Sequence, residues 1–232
     1  MRDYTLPRIR SFPESIETMP AHTAESDTSR RAVLLGRLLT IATFVLGIAW
    51  VGLETERDHE KRLRHPAILD SAYFMFALWA GSMGLMLQAT RSEWHLRHGR
   101  FRVYQVAVLL ALLMYLFHLV IAFHYAHNWK HTNAFQHVEE TSGFGPGIYV
   151  SHAFTLFWIC EVIALLSYSN WYVRRSMRIA GIWHGFSWFV MFNATVVYGH
   201  GIMRIVSALV FVMLLVAWTK SRKRPSAFKS LN

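Results

Sequence analysis

"VYQVAVLLALLMYLFHLVIAFHYAH", residues 103 to 127, runs for twenty-five residues without an aspartate, glutamate, lysine or arginine. At a helical rise of about 1.5 Å per residue it reaches roughly 37 Å, more than the ~30 Å of hydrocarbon in a bilayer. Working outward, five further stretches have similar character: Ala32 to Leu53, Ala67 to Thr90, Gly147 to Ser167, Ile179 to Tyr198 and Ile202 to Thr219. Lipid offers no partner to a bare peptide group, and none of these stretches alternates as a barrel strand does, so each predicts a helix. The expected fold class is an all-α, polytopic membrane bundle of six transmembrane helices. Ile179 to Tyr198 is its most polar span, carrying His184, Ser187, Asn193 and Thr195.

The composition agrees. The chain has 232 residues, of which 53% are hydrophobic and only 16% charged, a balance foreign to soluble domains of this length. A net charge of +10 would suit nucleic acid only if the basic residues lined one surface. Here they sit in short clusters between apolar runs, which excludes that class and points to membrane topology. Cys160 stands alone, so the chain has no intrachain disulfide, no CxxC and no covalent haem motif. Residues 1–31, with prolines at 7, 13 and 20, read as a flexible tail rather than a secretory leader. Residues 220–232 read as a second, basic tail.

Orientation follows from lysine and arginine bias. One side receives five arginines from the N-terminal tail, four from "RSEWHLRHGRFR", three from "NWYVRRSMR" and five Lys/Arg after Trp218. The other receives four from "ETERDHEKRLRH", then Lys130 and Arg204. Seventeen against six predicts both termini in the cytoplasm of a cell (inner) membrane protein. Trp50, Trp94, Trp129, Trp171 and Trp218 fall near span ends, where interfacial anchors belong.

On this topology the loop from 128 to 146 faces outward, and "HYAHNWKHTNAFQHVEE" (124–140) crowds four histidines and two glutamates at its lip. Helical rise predicts that Asp70, His118, His152, Asn193 and His200, from separate segments, converge beneath that loop, His152 lying about 7 to 8 Å down. If the third helix continues past the lip, His124, His127 and His131 share a face, until "TSGFGPG" stops it. His137, Glu139 and Glu140 could then fold back over the cluster. A second pair, Glu161 and His184, falls roughly 8 to 10 Å from the inner surface; a buried charge is costly unless paired, so each accounts for the other.

Three functions compete. In the first, His118, His124, His127, His131, His137, His152 and His200, with Asp70, supply ligands to zinc, copper or iron, which imidazole does not distinguish. If that site is catalytic, Glu139 or Glu140 is the proton acceptor. In the second, His118 and His152 clamp one haem b, making an electron carrier between a quinone and an extracytoplasmic redox partner. In the third, the histidines are structural, and the protein is a scaffold or transporter component with Glu161 and His184 as a proton relay or helix-locking pair. No inverted repeat favours transport.

Overall fold

The computed structural model describes residues 27–57 and 66–223. Most of the expected N-terminal tail, the basic connection 58–65 and the C-terminal tail from 224 lie outside the described residues. The remainder is helical: α1 (Asp27–Arg57), α2 (Pro66–Gln88), α3 (Arg91–Leu96), α4 (Arg100–Tyr125), α5 (His131–Ser142), α6 (Gly147–Ser167), α7 (Ser169–Arg174), α8 (Met177–Phe192) and α9 (Gly201–Lys223), with no strand among the described residues. Five helices are long and apolar enough to cross a membrane: Arg30–Thr55 within α1, all of α2, α4 and α6, and Gly201–Ser221 within α9. Their outward faces expose large apolar side chains, Leu39, Leu46, Leu156 and Met213 among them. Faces of that kind are the ones an integral membrane protein turns to lipid.

The stretch expected as the fifth span is built differently from the others. A regular helix, α8, stops at Phe192, and a five-residue π turn (Asn193–Val197) carries it on. The polar residues cause the change. The Asn193 side-chain amide donates to the Phe189 carbonyl and the Thr195 hydroxyl to the Met191 carbonyl, loosening the ladder, and Tyr198 N–H then reaches back five residues to the Asn193 carbonyl. Gly199 must follow, because a Cβ there would collide with the Thr195 carbonyl.

The histidine-rich stretch also departs from expectation. The third span does not continue past the lip, so His124, His127 and His131 do not share a helical face. α4 ends at Tyr125; Asn128 and Trp129 take left-handed φ values of 49° and 59°, and Trp129 N–H closes the helix end on the Phe123 carbonyl. The chain therefore turns, and the expected outer loop is itself largely a helix, α5, which Gly143 ends at φ 71°.

α2 and α4 form the central pair, with α1 across both; α6 leans on α4, α5 and α8, while α9 packs on α2 and the π turn. Between lipid-immersed helices apolar burial drives little, so close approach and polar bonds carry the packing. Trp79 donates its indole N–H to Ser187 Oγ across α2 and α8 at 2.9 Å, and Tyr115 and Thr155 join α4 to α6 through their hydroxyls at 2.9 Å. Helices come close at Gly47, where a Cβ would stand 2.7 Å from Met114 Cε and 2.8 Å from Phe74 Cγ. Met114 can give way, but the Phe74 ring cannot. Gly47→Leu is therefore expected to cost about 1–3 kcal/mol, read as a lowered unfolding temperature in detergent. Gly52→Leu, in open space on the same helix, is expected to leave it unchanged.

Candidate functional site

Two ends of the bundle carry the polar chemistry: a histidine end, where α4 runs into α5 and α6, and an arginine end, where α3, α4, α7 and α8 meet. At the histidine end, α5 folds back beside α6 and brings His131 and His152 together, with Nε2 to Nε2 at 3.2 Å. One of these nitrogens must donate and the other accept. Tyr149 flanks the pair, its ring 5.8 Å from that of His131 and 6.4 Å from that of His152. Beside it His127 and His137 form a second couple with ring centroids 5.5 Å apart. His127 is buried, and its Nδ1 has no hydrogen-bond partner among the described residues. Burial, and then the neighbouring His137, push its pKa below the usual imidazole range, so it presents a neutral ring.

The other expected members do not join one cluster. Asp70 accepts the Trp50 indole N–H at 2.7 Å. His118 bonds through Nδ1 to Ser71 Oγ at 2.9 Å; since the Ser71 proton goes to the Ile68 carbonyl, His118 is the donor there. Asn193 bonds its own helix, His200 is exposed in the turn before α9, and His124 sets its ring against Tyr125 and Trp129. Glu139 accepts the Gly145 N–H and so shapes the turn into α6. Glu140 lies nine residues from His131 along α5, about 180° round the helix, so neither glutamate stands beside the paired imidazoles. Among the described residues no three His, Cys, Asp or Glu side chains are grouped to hold a metal ion.

A cleft of about 560 Å³ opens between α4 and α6 at this end, lined by Leu119, Val120, Phe123, Trp129, Thr155 and Leu156, with His152 at its edge. Its walls are overwhelmingly apolar, and Val120, Trp129 and Leu156 among its lining side chains are exposed on the outer surface of the bundle. Such a site takes an apolar body and orients it by a few polar groups.

At the arginine end the structure brings Glu161 and His184 together, with Glu161 Oε1 3.8 Å from His184 Nδ1. Tyr172, Tyr104 and Arg175, whose places in the sequence do not mark them as site residues, extend the pair. Tyr172 of α7 donates its hydroxyl to Glu161 Oε1 at 2.8 Å, and Tyr104 of α4 sits 2.7 Å from the Tyr172 oxygen. On the far side the Arg175 guanidinium is 2.7 Å from His184 Nε2 and lies 3.7 Å over the Tyr172 ring. Arg175 can only donate, so His184 accepts at Nε2 and carries its proton at Nδ1, toward the carboxyl. Trp94 of α3 closes the cluster, 5.5 Å from the Tyr104 ring. The one signal that could have flagged Arg175 and Tyr172 is their place in "NWYVRR" (170–175), a few residues past a span holding a buried acid.

The chain matches no known protein family, no curated protein and no solved structure.

Proposed function

We propose that this is a six-span inner-membrane protein, both termini cytoplasmic, whose histidine end binds a first-row divalent metal between His131 and His152 at the mouth of a lipid-facing cleft. The sixth crossing is α8 with its π turn, which together run from Met177 to Val197. The observation that carries the metal reading is the 3.2 Å between the two Nε2 atoms. Ligands at about 2.0–2.1 Å from a tetrahedral zinc stand about 3.3 Å apart, so the pair spans one edge of a coordination shell without movement of either helix. His131 is exposed and His152 half-buried, which leaves the edge open to ions from solution. Two protein ligands leave further positions for water or for a polar group of a molecule seated in the cleft. Imidazole nitrogens accept zinc, copper or iron, and the protein's own part is to hold the two rings on separate helices at the right spacing.

A second reading rests on the cleft alone: a quinone-like amphiphile, its ring between Phe123 and Leu156 and its oxygen hydrogen-bonded by His152. Haem b draws less support, because His118 turns to α2 and His152 to α5.

The test is titration with cobalt(II) and zinc(II) of protein purified with a histidine-free tag and stripped with chelator. One metal per chain and no Soret band is the expected result. A Soret band, or binding no better than an empty micelle, would overturn it.

A further inference from the structure

The arginine end holds another feature that neither the metal reading nor the buried glutamate absorbs. Arg30 and Arg37, two turns apart on one face of α1, meet Arg97 of the α3–α4 corner and Arg102 of α4 around a pocket of about 420 Å³. Among the described residues no acidic side chain lines it. The acid of that corner, Glu93, is already engaged: it accepts the backbone N–H groups of Thr90 and Arg100 and pairs with the Arg100 guanidinium at 3.6 Å. Burial tends to raise the pKa of Glu93, but these bonds hold it below the usual carboxylate range, so its charge is used locally.

The pocket arginines find few acceptors among the described residues. Among the described residues Arg102 reaches only the Gln105 side-chain oxygen, at 3.4 Å, and Arg37 Nε is buried without a hydrogen-bond partner. Arg97 is held at φ 55° as the left-handed cap of α3, a position that ordinarily goes to glycine. Placing a side chain there is unfavourable, and what it places is a fourth guanidinium against the cavity. Four like charges around one space repel unless an anion sits among them. Arginine's fixed fork of donors suits phosphate oxygens in pairs.

We infer that this pocket binds a phosphate anion, the headgroup phosphate of an anionic phospholipid. Val33, Leu34 and Leu96 line the same cavity, giving the glycerol and upper acyl carbons an apolar wall. Arg30 begins the membrane-crossing part of α1, so the pocket sits at headgroup level. Basic pockets between helix ends at the cytoplasmic face are where such headgroups are held.

The test uses the delipidated full chain in neutral detergent, its thermal unfolding followed with added dioleoylphosphatidylglycerol, dioleoylphosphatidylcholine or inorganic phosphate. The expected result is half-maximal stabilisation by the anionic lipid at no more than a tenth of the phosphatidylcholine concentration. Arg97→Gly relieves the left-handed strain, so it is expected to fold at least as well as wild type and to lose that preference; Arg37→Gln is expected to lose it too. Arg174→Gln, an exposed arginine elsewhere at this end, is expected to keep it. Inorganic phosphate reproducing the stabilisation and competing with the lipid would identify a soluble phosphate as the source and leave the pocket standing. Equal stabilisation by both lipids with none by phosphate, or a preference that survives Arg97→Gly, would overturn it.

Discussion

Glu161→Ala is expected to destabilise the protein by about 1–3 kcal/mol, the range for leaving a buried hydrogen-bonding group without its partner, and to lower its yield from membranes. The carboxyl is only 4% exposed and stands between Tyr172 and His184. Its loss leaves the Tyr172 hydroxyl without its acceptor and the Arg175 guanidinium without the nearby carboxylate. Glu161→Gln keeps an oxygen for Tyr172 and removes only the charge, so it should lose about half as much. The contrast with a single hydrogen bond decides what kind of feature this is. Interhelical bonds in membrane proteins average about 0.6 kcal/mol by double-mutant cycles, with a maximum near 1.7. Tyr104→Phe, which removes one hydroxyl from the end of the chain, is therefore expected to cost about 1 kcal/mol or less. Tyr172→Phe breaks two links and should cost more. Adding Tyr104→Phe to Tyr172→Phe should add little, since their shared bond is already gone. Thermal unfolding followed by tryptophan fluorescence would read all of these, with Trp94 as a reporter beside both tyrosines. A loss for Glu161→Ala no larger than for Tyr104→Phe would mean that the carboxyl is solvated and the cluster does not lock α4, α6, α7 and α8 together.

The helical class was legible because one signal dominates it: a run such as 103–127 can satisfy its backbone in lipid only as a helix. The contact between Glu161 and His184 was legible by the same arithmetic, since two consecutive antiparallel helices with ionisable groups at one depth have few other ways to shelter them. What the arithmetic lacks is azimuth and local chain reversal. Asp70, His118, His152, Asn193 and His200 sit at comparable expected depths, yet depth does not say which way a helix faces, and Asp70 and His118 turn to Trp50 and Ser71 instead. The left-handed turn at Asn128 and Trp129 was hidden for another reason. Asparagine tolerates the left-handed region better than other side chains, so Asn128 is a weak signal, but nothing in "AHNWKH" announces a second left-handed residue at Trp129. That turn lays α5 along α6 and converts His131 from a continuation of α4 into the partner of His152. The arginine pocket escaped because its members come from three segments: Arg30, Arg97 and Arg102 read as topological charge, while Arg37 lies inside the first apolar stretch; and the polar residues of the fifth stretch end α8 early and add a π turn.

That reversal makes the last prediction specific. His131→Ala and His152→Ala are each expected to weaken metal binding by at least about 100-fold, the upper end of what removing a supporting group costs, because a site with two protein ligands cannot lose one and persist. The double variant should add nothing measurable. His124→Ala removes a ring held between Tyr125 and Trp129 and should leave the affinity unchanged. His118→Ala separates the cofactor readings: it is bonded to Ser71 on α2, so a metal at His131 and His152 does not feel its loss, whereas a haem clamped by His118 and His152 would lose an axial ligand and its spectrum. His127→Ala tests the other histidine couple at this end, for its buried Nδ1 has no hydrogen-bond partner among the described residues. A fall in affinity on removing His127 would extend the site across α5 to a third ligand. An unchanged affinity would confine the ion to the edge between α5 and α6, with its remaining positions facing the solvent and the cleft beneath Trp129.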